Sequence, residues 1–313
     1  MQSFLQYIKR NAYRYFAYKL VVLLVVVVAL DYGIGKALSY WYFKQTSGLQ
    51  YRTTYSVDST TANVLIVGSS RANHHYYPTV LEQGLQQSYY NMGRDGSFIF
   101  YHYAVLKAVL QRYSPKVVIL DFNRNSFEQD INHYDRLSAL LPYYATHPEM
   151  RPIIALKSQY ERIKLLSHIY PYNSALFTIA VGNMAFNKKR KEDQQGYVPL
   201  TRVWNSALTT DSSAAMYAID SVKIHLYQDF INQCTRDNVK LYVVCSPYFT
   251  QYTTTDYSLT IAKQLAAKHH VTFLDYSNDT TFTHNAKLFA DVSHLNNEGA
   301  KLFSTKLMQD LKW

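Results

Sequence analysis

The stretch "VLIVGSSRANHH", Val64–His75, joins four apolar residues directly to a glycine, two serines and an arginine. Short apolar runs rich in β-branched residues are typical of strands that are buried on both faces of a sheet. We therefore predict a strand over Asn63–Val67, with polar side chains beginning where it ends. Because ligands of open parallel sheets bind beyond the carboxyl ends of the strands, chemistry is expected at this end.

The same strand pattern recurs along the chain, at Tyr89–Met92, Lys116–Asp121, Lys240–Cys245 and Val271–Asp275. Apolar residues at helical spacing lie between these runs, and a last helix is predicted after Leu295 with an asparagine cap. This alternation predicts an α/β fold. We expect a three-layer α/β/α sandwich with a five-stranded parallel sheet and flavodoxin-like winding.

Positive charge precedes a long apolar run at the N-terminus. Residues 1–19 hold four basic and no acidic side chains, "LVVLLVVVVAL" follows at 20–30, and "ALSYWYF" resumes the apolar character at 37–43. Basic residues before an apolar span keep that end cytoplasmic, and tyrosine and tryptophan suit the far membrane interface. We predict a basic cytoplasmic N-terminus at 1–19 and one transmembrane anchor at 20–43. The remaining chain would lie on the periplasmic side of the inner (cytoplasmic) membrane.

A cleaved signal peptide is the alternative to this anchor. Asp31 and Lys36 interrupt the apolar run before it reaches the roughly 18 residues that identify a membrane span. However, no small-residue cleavage site follows Leu30, and no cysteine is placed for a lipid anchor. The sequence therefore favours a retained anchor.

The rest of the chain divides into a linker and one domain. Residues 44–62 are rich in Ser and Thr and predict a polar linker, and residues 63–313 predict the domain. Within it, residues 124–211 lack a convincing strand, and we predict a mainly helical insertion that includes an exposed, charged loop, "KKRKED", at 188–193. The formal charge of +10 is concentrated in this loop and in the membrane flank. Nucleic acid is therefore not the expected partner.

Residues that can perform chemistry follow the predicted strands. The strands end in "GSSR", "NMGRDG", "DFNRN" and "SPY", and "FADVSHLN" comes after the fifth. A serine hydroxyl is a poor nucleophile until a histidine takes its proton, and a carboxylate fixes the tautomer of that histidine. Asp291 and His294 are three residues apart on a predicted turn, so the carboxylate can accept the Nδ1 hydrogen while Nε2 faces Ser70. Gly93 and Asn123 can supply N–H donors to an oxyanion.

These residue types, in this order, resemble the SGNH or GDSL hydrolase family, which is named for its Ser, Gly, Asn and His. The resemblance implies that Ser70 is the nucleophile and that His294 and Asp291 activate it. It also implies that Gly93 and Asn123 complete the oxyanion hole.

Two positions depart from that family pattern. Ser69 stands where the first family block usually has an aspartate, and Arg124 stands where the third block often has one. All four signature residue types are present, so the departures bear on the choice of substrate more than on activity.

The Gly-Ser-Ser form behind an N-terminal anchor is similar to the branch of this family that modifies envelope glycans. That similarity implies a serine esterase or O-acyltransferase that acts on acyl esters of a cell-envelope polysaccharide through a covalent acyl-serine. It also implies a membrane-bound O-acyltransferase as partner. The alternative is a non-catalytic binding or assembly module of such a complex, which the departures at 69 and 124 motivate.

The remaining candidates lie next to the predicted site. Arg71, His74 and Tyr248 are candidate substrate-binding residues. The pair His74 and His75 does not predict a metal, because neighbours in an extended segment point opposite ways and no Cys or carboxylate cluster joins them. No cofactor is expected. Cys245 is expected to be a buried thiol, and the sequence leaves a disulfide with Cys234 open.

Overall fold

A five-stranded parallel sheet forms the centre of the molecule. The computed structural model describes residues 12–184, 194–205, 210–211 and 216–311. The strands are β1 (Val64–Val67), β2 (Tyr89–Asn91), β3 (Val117–Asp121), β4 (Lys240–Cys245) and β5 (Thr272–Asp275). They lie in the order β2-β1-β3-β4-β5, and every neighbouring pair is parallel. The predicted fold class is confirmed, because this is the flavodoxin-like strand order.

Helices cover both faces of the sheet. The α-helices of the described residues are α1 (Ala12–Phe43), α2 (Gly48–Asp58), α3 (Ser70–His75), α4 (Pro78–Leu85), α5 (Ile99–Arg112), α6 (Ile131–Asp135), α7 (Arg151–Ile154), α8 (Glu161–Lys164), α9 (Leu176–Gly182), α10 (Ser221–Arg236), α11 (Tyr257–Lys268) and α12 (Asn297–Asp310). The 3₁₀ helices are Arg136–Tyr143, Pro148–Met150, Ala155–Lys157, Tyr170–Ala175 and Ala286–Leu288. The predicted asparagine cap is present, since the Asn296 side chain accepts from the Gly299 N–H at 3.0 Å.

Alternate side chains of each strand enter two separate cores. Leu65, Val118 and Val243 belong to the core under α5, α10 and α11. Ile66 and Ile119 belong to the other core, under α3, α4 and α12. Each of these side chains is fully buried, and burial of such a side chain stabilises the fold by about 1.5–3 kcal/mol. The strands are therefore apolar on both faces.

The predicted insertion, 124–211, lies between β3 and β4, and its described residues are mainly helical. It contains α6 to α9 and most of the 3₁₀ helices. One feature was not predicted: Thr210–Asp211 pairs in parallel with Gln251–Tyr252, and a two-residue strand leaves no alternating pattern in a sequence. The charged loop predicted at 188–193 lies outside the described residues.

Helix α1 is apolar and long enough to cross a membrane, and it is the one such helix among the described residues. Its side chains from Leu20 to Leu30 are exposed. From Asp31 onward the helix packs on the insertion, where Asp31 accepts hydrogen bonds from the Ser167 hydroxyl at 2.5 Å and the His168 N–H at 2.7 Å. The last turns of α1 are thus part of the folded domain.

The segment predicted as a polar linker, 44–62, differs from that expectation because it contains α2. This helix packs against α5 and buries Arg52, Thr53, Ser56 and Val57. Its buried hydroxyls bond to their own helix, as in the 2.7 Å bond from Ser56 Oγ to the Arg52 carbonyl. Hydroxyls that form hydrogen bonds can be buried at little cost in free energy. A segment of polar composition can therefore form a packed helix.

Both cysteines are buried and free, so they form no disulfide in this structure. Burial raises the pKa of the Cys245 thiol well above its ordinary value. Cys245 is therefore a buried thiol, as predicted.

Candidate active site

A tight turn between β1 and α3 presents Ser70 at the carboxyl edge of the sheet. A Cβ at Gly68 would lie 2.7 Å from the Ala72 Cβ and 2.9 Å from the Asp121 Cβ, so only glycine fits this turn. Ser69 is the N-cap residue of α3, but its side chain makes no capping hydrogen bond. Ser70 begins the helix and is half-buried. Its hydroxyl is therefore not used as a helix cap.

Ser70, His294 and Asp291 form a continuous hydrogen-bonded chain. His294 Nε2 lies 2.8 Å from Ser70 Oγ, although 224 positions separate the two residues. His294 Nδ1 lies 2.9 Å and 3.0 Å from the two carboxylate oxygens of Asp291. A carboxylate can only accept, so Nδ1 carries the hydrogen and Nε2 accepts from the serine hydroxyl. This is the arrangement that activates a serine.

The backbone holds the Asp291 carboxylate in its ionised form. The N–H groups of Ser293 and His294 donate to Oδ1 at 2.8 Å and 2.9 Å. Partial burial raises the pKa of Asp291, but hydrogen bonds from the His294 side chain and these N–H groups outweigh it and lower the pKa below 3.8. The carboxylate is therefore charged at neutral pH and orients the imidazole.

Gly93 lies next to α3 at the same edge of the sheet. A Cβ at Gly93 would lie 2.5 Å from the Asn73 backbone nitrogen, so close approach requires a glycine. Its N–H donates to Asn91 Oδ1 at 2.9 Å. The structure thus brings Gly93 to the predicted place, with its N–H bonded within the protein.

Asn123 also reaches this edge, directly after β3. Its Nδ2 donates to Ser69 Oγ at 2.7 Å, and its Oδ1 is buried without a hydrogen-bond partner. A primary amide has two N–H groups, so one remains for a further acceptor. Ser69 therefore fixes the orientation of Asn123.

Arg71 and Tyr248 differ from the expectation that they contact substrate. Arg71 is 4% exposed; its Nη2 donates to Ser246 Oγ and the Pro247 carbonyl at 2.9 Å and to the Ser246 carbonyl. Its guanidinium stacks on the buried Tyr248 ring at 3.5 Å. Arg71 Nη1 also donates to the Ser293 carbonyl at 3.2 Å. Both side chains face the interior, where Arg71 supports the loop that carries His294.

His74 packs against His294 and is almost fully buried. The two ring centroids are 5.3 Å apart, and His74 Nδ1 lies 2.7 Å from the Val198 carbonyl. Burial lowers the pKa of His74 below 6.5. His74 therefore forms part of the wall beside the imidazole, in a neutral form.

His75 is a supporting residue that the sequence analysis missed. Its Nε2 accepts from the Leu295 N–H at 3.0 Å, and its Nδ1 lies 3.0 Å from Ser246 Oγ. The pair His74 and His75 is helical and not extended as expected, and His75 contacts the His294 loop. No group of three His, Cys, Asp or Glu side chains in the described ranges could hold a metal ion.

Two cavities flank this edge of the sheet. The larger, about 300 Å³, is bounded by Arg94, Asp95, Tyr101 and Arg136, with Tyr42 of α1 in its wall. The smaller, about 130 Å³, is bounded by Asn123, Ser97 and neighbouring residues. The surface of the larger cavity is mainly polar, which suits a polar ligand, whereas the surface of the smaller cavity is mainly apolar.

Comparisons with known proteins give no close relative. No protein-family model and no curated protein matches the chain. The structure of an acetyl xylan esterase, AlAXEase, is similar to this chain with a TM-score of 0.41 and 13% sequence identity. The alignment covers 80% of this chain and 99% of the esterase chain. An acetyl xylan esterase, Est2A, from the rumen bacterium Butyrivibrio proteoclasticus is 9% identical over 79% of this chain and 62% of its own, with a TM-score of 0.34. Both scores are too low for these likenesses to indicate the chemistry of this chain.

Proposed function

We propose that this chain is a serine ester hydrolase of the SGNH type. The observation that carries the proposal is the bond of 2.8 Å between His294 Nε2 and Ser70 Oγ, extended by Asp291. In the proposed reaction Ser70 Oγ attacks the acyl carbonyl carbon while its proton passes to His294. That proton then goes to the departing alcohol, which leaves an acyl-serine. A water molecule, deprotonated by His294, attacks the ester and releases the carboxylic acid and the free serine.

The oxyanion donors need only a small rearrangement. The second N–H of Asn123 and the backbone N–H of Ser70 are the proposed donors to the tetrahedral oxyanion. The Gly93 N–H would join them by exchanging its bond to Asn91 for one to the oxyanion. Hydrogen bonds of apo sites are often misaligned and tighten only when substrate binds.

The proposed location is the inner membrane, with α1 as the anchor and the domain in the periplasm. The contacts of Asp31 with Ser167 and His168 support a retained helix over a cleaved signal peptide. Cleavage after Leu30 would separate the apolar run from the part of α1 that the domain binds. The basic residues before the run support a cytoplasmic N-terminus.

The proposed substrate is an acyl ester of a cell-envelope polysaccharide. The membrane anchor and the polar cavity bounded by Arg94 and Arg136 support a polar polymer near the membrane. Transfer of the acyl group to a sugar hydroxyl, with a membrane-bound O-acyltransferase as the supplier, uses the same acyl-serine. Water and a sugar hydroxyl are equivalent acceptors in this chemistry.

One observation favours the non-catalytic alternative. The Gly93 N–H is bonded to Asn91 Oδ1 at 2.9 Å, which leaves the oxyanion hole with fewer free donors. A chain that kept the fold as a binding module for an acyltransferase complex would tolerate this bond.

Labelling with a fluorophosphonate tests the proposal. The probe phosphonylates an activated serine, so the wild type should be labelled at Ser70 and should hydrolyse p-nitrophenyl acetate. Ser70→Ala and His294→Ala should abolish both. The controls Ser221→Ala and His225→Ala change exposed residues of α10 and should retain both. A folded wild type that is neither labelled nor hydrolytic would contradict the proposed esterase activity and favour the non-catalytic binding module.

A further inference from the structure

One segment of the insertion, residues 160–184, binds the end of α1. Ser167 and His168 bond to Asp31, and Asn183 Nδ2 donates to the Trp41 carbonyl at 2.9 Å. Gly35 of α1 lies directly against the His168 backbone, with no room for a Cβ. This segment and α1 are therefore held together at several successive turns.

The same segment exposes large apolar side chains. Phe177 is 78% exposed, Leu166 is 76%, Ile163 is 67% and Tyr160 is 56%. Leu176 and Met184 are also exposed. Outside α1, the other exposed large apolar side chains of the described residues are scattered along the chain, at Ile131, Leu156, Val203, Met216, Tyr257, Val292 and Leu302. A concentration of such side chains in one short segment marks an interaction surface.

This segment begins where the apolar run of α1 ends. Asp31, which bonds to Ser167, directly follows Leu30. Leu166 precedes Ser167 and so lies beside that junction. Basic side chains of the segment, Arg162 and Lys164, alternate with the exposed apolar residues, a pattern typical of interfacial segments.

The length of the apolar run gives a second reason to expect contact with lipid. An α-helix rises 1.5 Å per residue, so the run at 20–30 spans about 16 Å of the roughly 30 Å hydrocarbon core. The rest of that thickness must be covered by the flanking turns of α1. On the domain side those turns are the ones that residues 160–184 accompany, so a bilayer that covers α1 reaches this segment.

We propose that Tyr160, Ile163, Leu166, Leu176, Phe177 and Met184 form a membrane-facing surface that rests in the interfacial region of the lipid bilayer. The proposal depends on the proposed membrane anchoring and not on the esterase activity. Apolar side chains enter the acyl boundary, and Arg162 and Lys164 lie at the level of the headgroups. The insertion then fixes the orientation of the whole domain against the membrane.

A lipid-quenching experiment on the full chain tests this surface. Leu166→Cys and Phe177→Cys are each labelled with the fluorophore NBD and reconstituted into phosphatidylcholine–phosphatidylglycerol nanodiscs. Cys234 and Cys245 are buried, and the unsubstituted chain measures any background labelling. Lipids that carry a doxyl quencher near the headgroup should reduce NBD emission at both positions. Emission from the control positions Met216→Cys and Leu302→Cys should be unchanged.

A probe inside α1 distinguishes the proposed membrane anchor from the proposed membrane-facing surface. Val25→Cys lies within the exposed apolar run and should be quenched by doxyl groups deeper in the acyl chains. Quenching at Val25 without quenching at Leu166 and Phe177 would overturn the membrane-facing surface and leave the anchor intact. Absence of quenching at all three would overturn both. Blue-shifted but unquenched emission at Leu166 would assign the surface to a second protein copy instead of lipid.

Discussion

Ser69 stands at a position where the SGNH family, which the sequence resembles, usually has an aspartate. In this structure that hydroxyl accepts a hydrogen bond from Asn123 at 2.7 Å and makes no helix cap. It is therefore a positioning group for a proposed oxyanion donor, one step removed from Ser70.

Ser69→Ala should lower the kcat for p-nitrophenyl acetate by up to roughly 100-fold, because it releases the Asn123 amide. The KM should change little, since Ser69 contacts no substrate in the proposed reaction. Ser69→Thr keeps the hydroxyl and should restore most of the rate. Steady-state kinetics of the three proteins check this, and an unchanged kcat in Ser69→Ala would remove Ser69 from the mechanism.

Asp291→Asn should reduce kcat by on the order of 10³–10⁴-fold, because an amide cannot replace the carboxylate that fixes the His294 tautomer. The exposed Asp229→Asn on α10 is the matched control and should keep full activity. The depressed pKa of Asp291 adds a stability effect with a known sign. The ionised Asp291 stabilises the fold above its ordinary pKa near 4, and this stabilisation is lost as the pH falls through its pKa in the folded protein. The wild type and Asp291→Asn should therefore become equally stable in strong acid.

The candidate catalytic residues Ser70, His294 and Asp291 could be predicted, because a parallel sheet brings the carboxyl ends of its strands to one edge. The roles of Arg71 and His75 could not be predicted, because they depend on where the polar groups of distant loops lie. Nothing in the letters "SRANHH" states that Arg71 reaches the Ser246 and Pro247 carbonyls or that His75 accepts from Leu295. Such contacts are set by tertiary structure alone.

At the scale of elements, periodicity predicted the strands of the sheet, but it predicted neither helix α2 nor the packing of α1 on the insertion. The predicted strands match β1 to β5 to within a residue or two at each end. Helix α2 was missed because its buried positions hold Arg, Thr and Ser as well as valine. The docking of α1 on residues 160–184 was missed because Asp31 read as an interruption, when it is a hydrogen-bond acceptor for that segment.

Two glycines of α1 provide a matched pair that tests this docking. Gly35→Leu must displace the His168 backbone, and such overpacking typically costs 1–3 kcal/mol. Gly33 has no atom within 4 Å of its would-be Cβ, so Gly33→Leu should be neutral or slightly stabilising. Thermal denaturation in detergent micelles should show a lower midpoint for Gly35→Leu alone, with faster proteolysis within residues 160–184. Equal midpoints would mean that α1 does not dock there.

At the scale of the whole molecule, several histidines are buried in neutral form. Burial lowers the pKa of His102 to about 3 and that of His74 below 6.5. Burial, with the charge of Arg71, lowers the pKa of His75 well below 6.5. Because the folded chain does not take up these protons, acid favours the unfolded state below about pH 6.5.

The contribution of these buried histidines to the free energy of unfolding should therefore be constant above pH 6.5 and should fall as the pH drops below it. Each neutral buried histidine contributes a slope of up to about 1.4 kcal/mol per pH unit. His147 has the opposite sign, since hydrogen bonds to Asp58 and Glu149 raise its pKa and its stabilisation is lost as pH rises.

Replacing one histidine isolates its share of this dependence. His102→Leu should reduce the slope of denaturation midpoint against pH between 6.5 and 5, whereas the exposed His225→Ala should leave it unchanged. Identical slopes for wild type and His102→Leu would show that His102 is already protonated in the folded chain.

The separation of 224 positions between Ser70 and His294 has a consequence for biosynthesis. The anchor is made first, the alcohol soon after, and the imidazole only when synthesis is nearly complete. A polypeptide still emerging from the ribosome therefore has Ser70 without its base, so the proposed esterase would not hydrolyse cytosolic esters during synthesis. In the proposed enzyme, Ser70 meets its base only when the last helix docks, after the domain has crossed the proposed membrane.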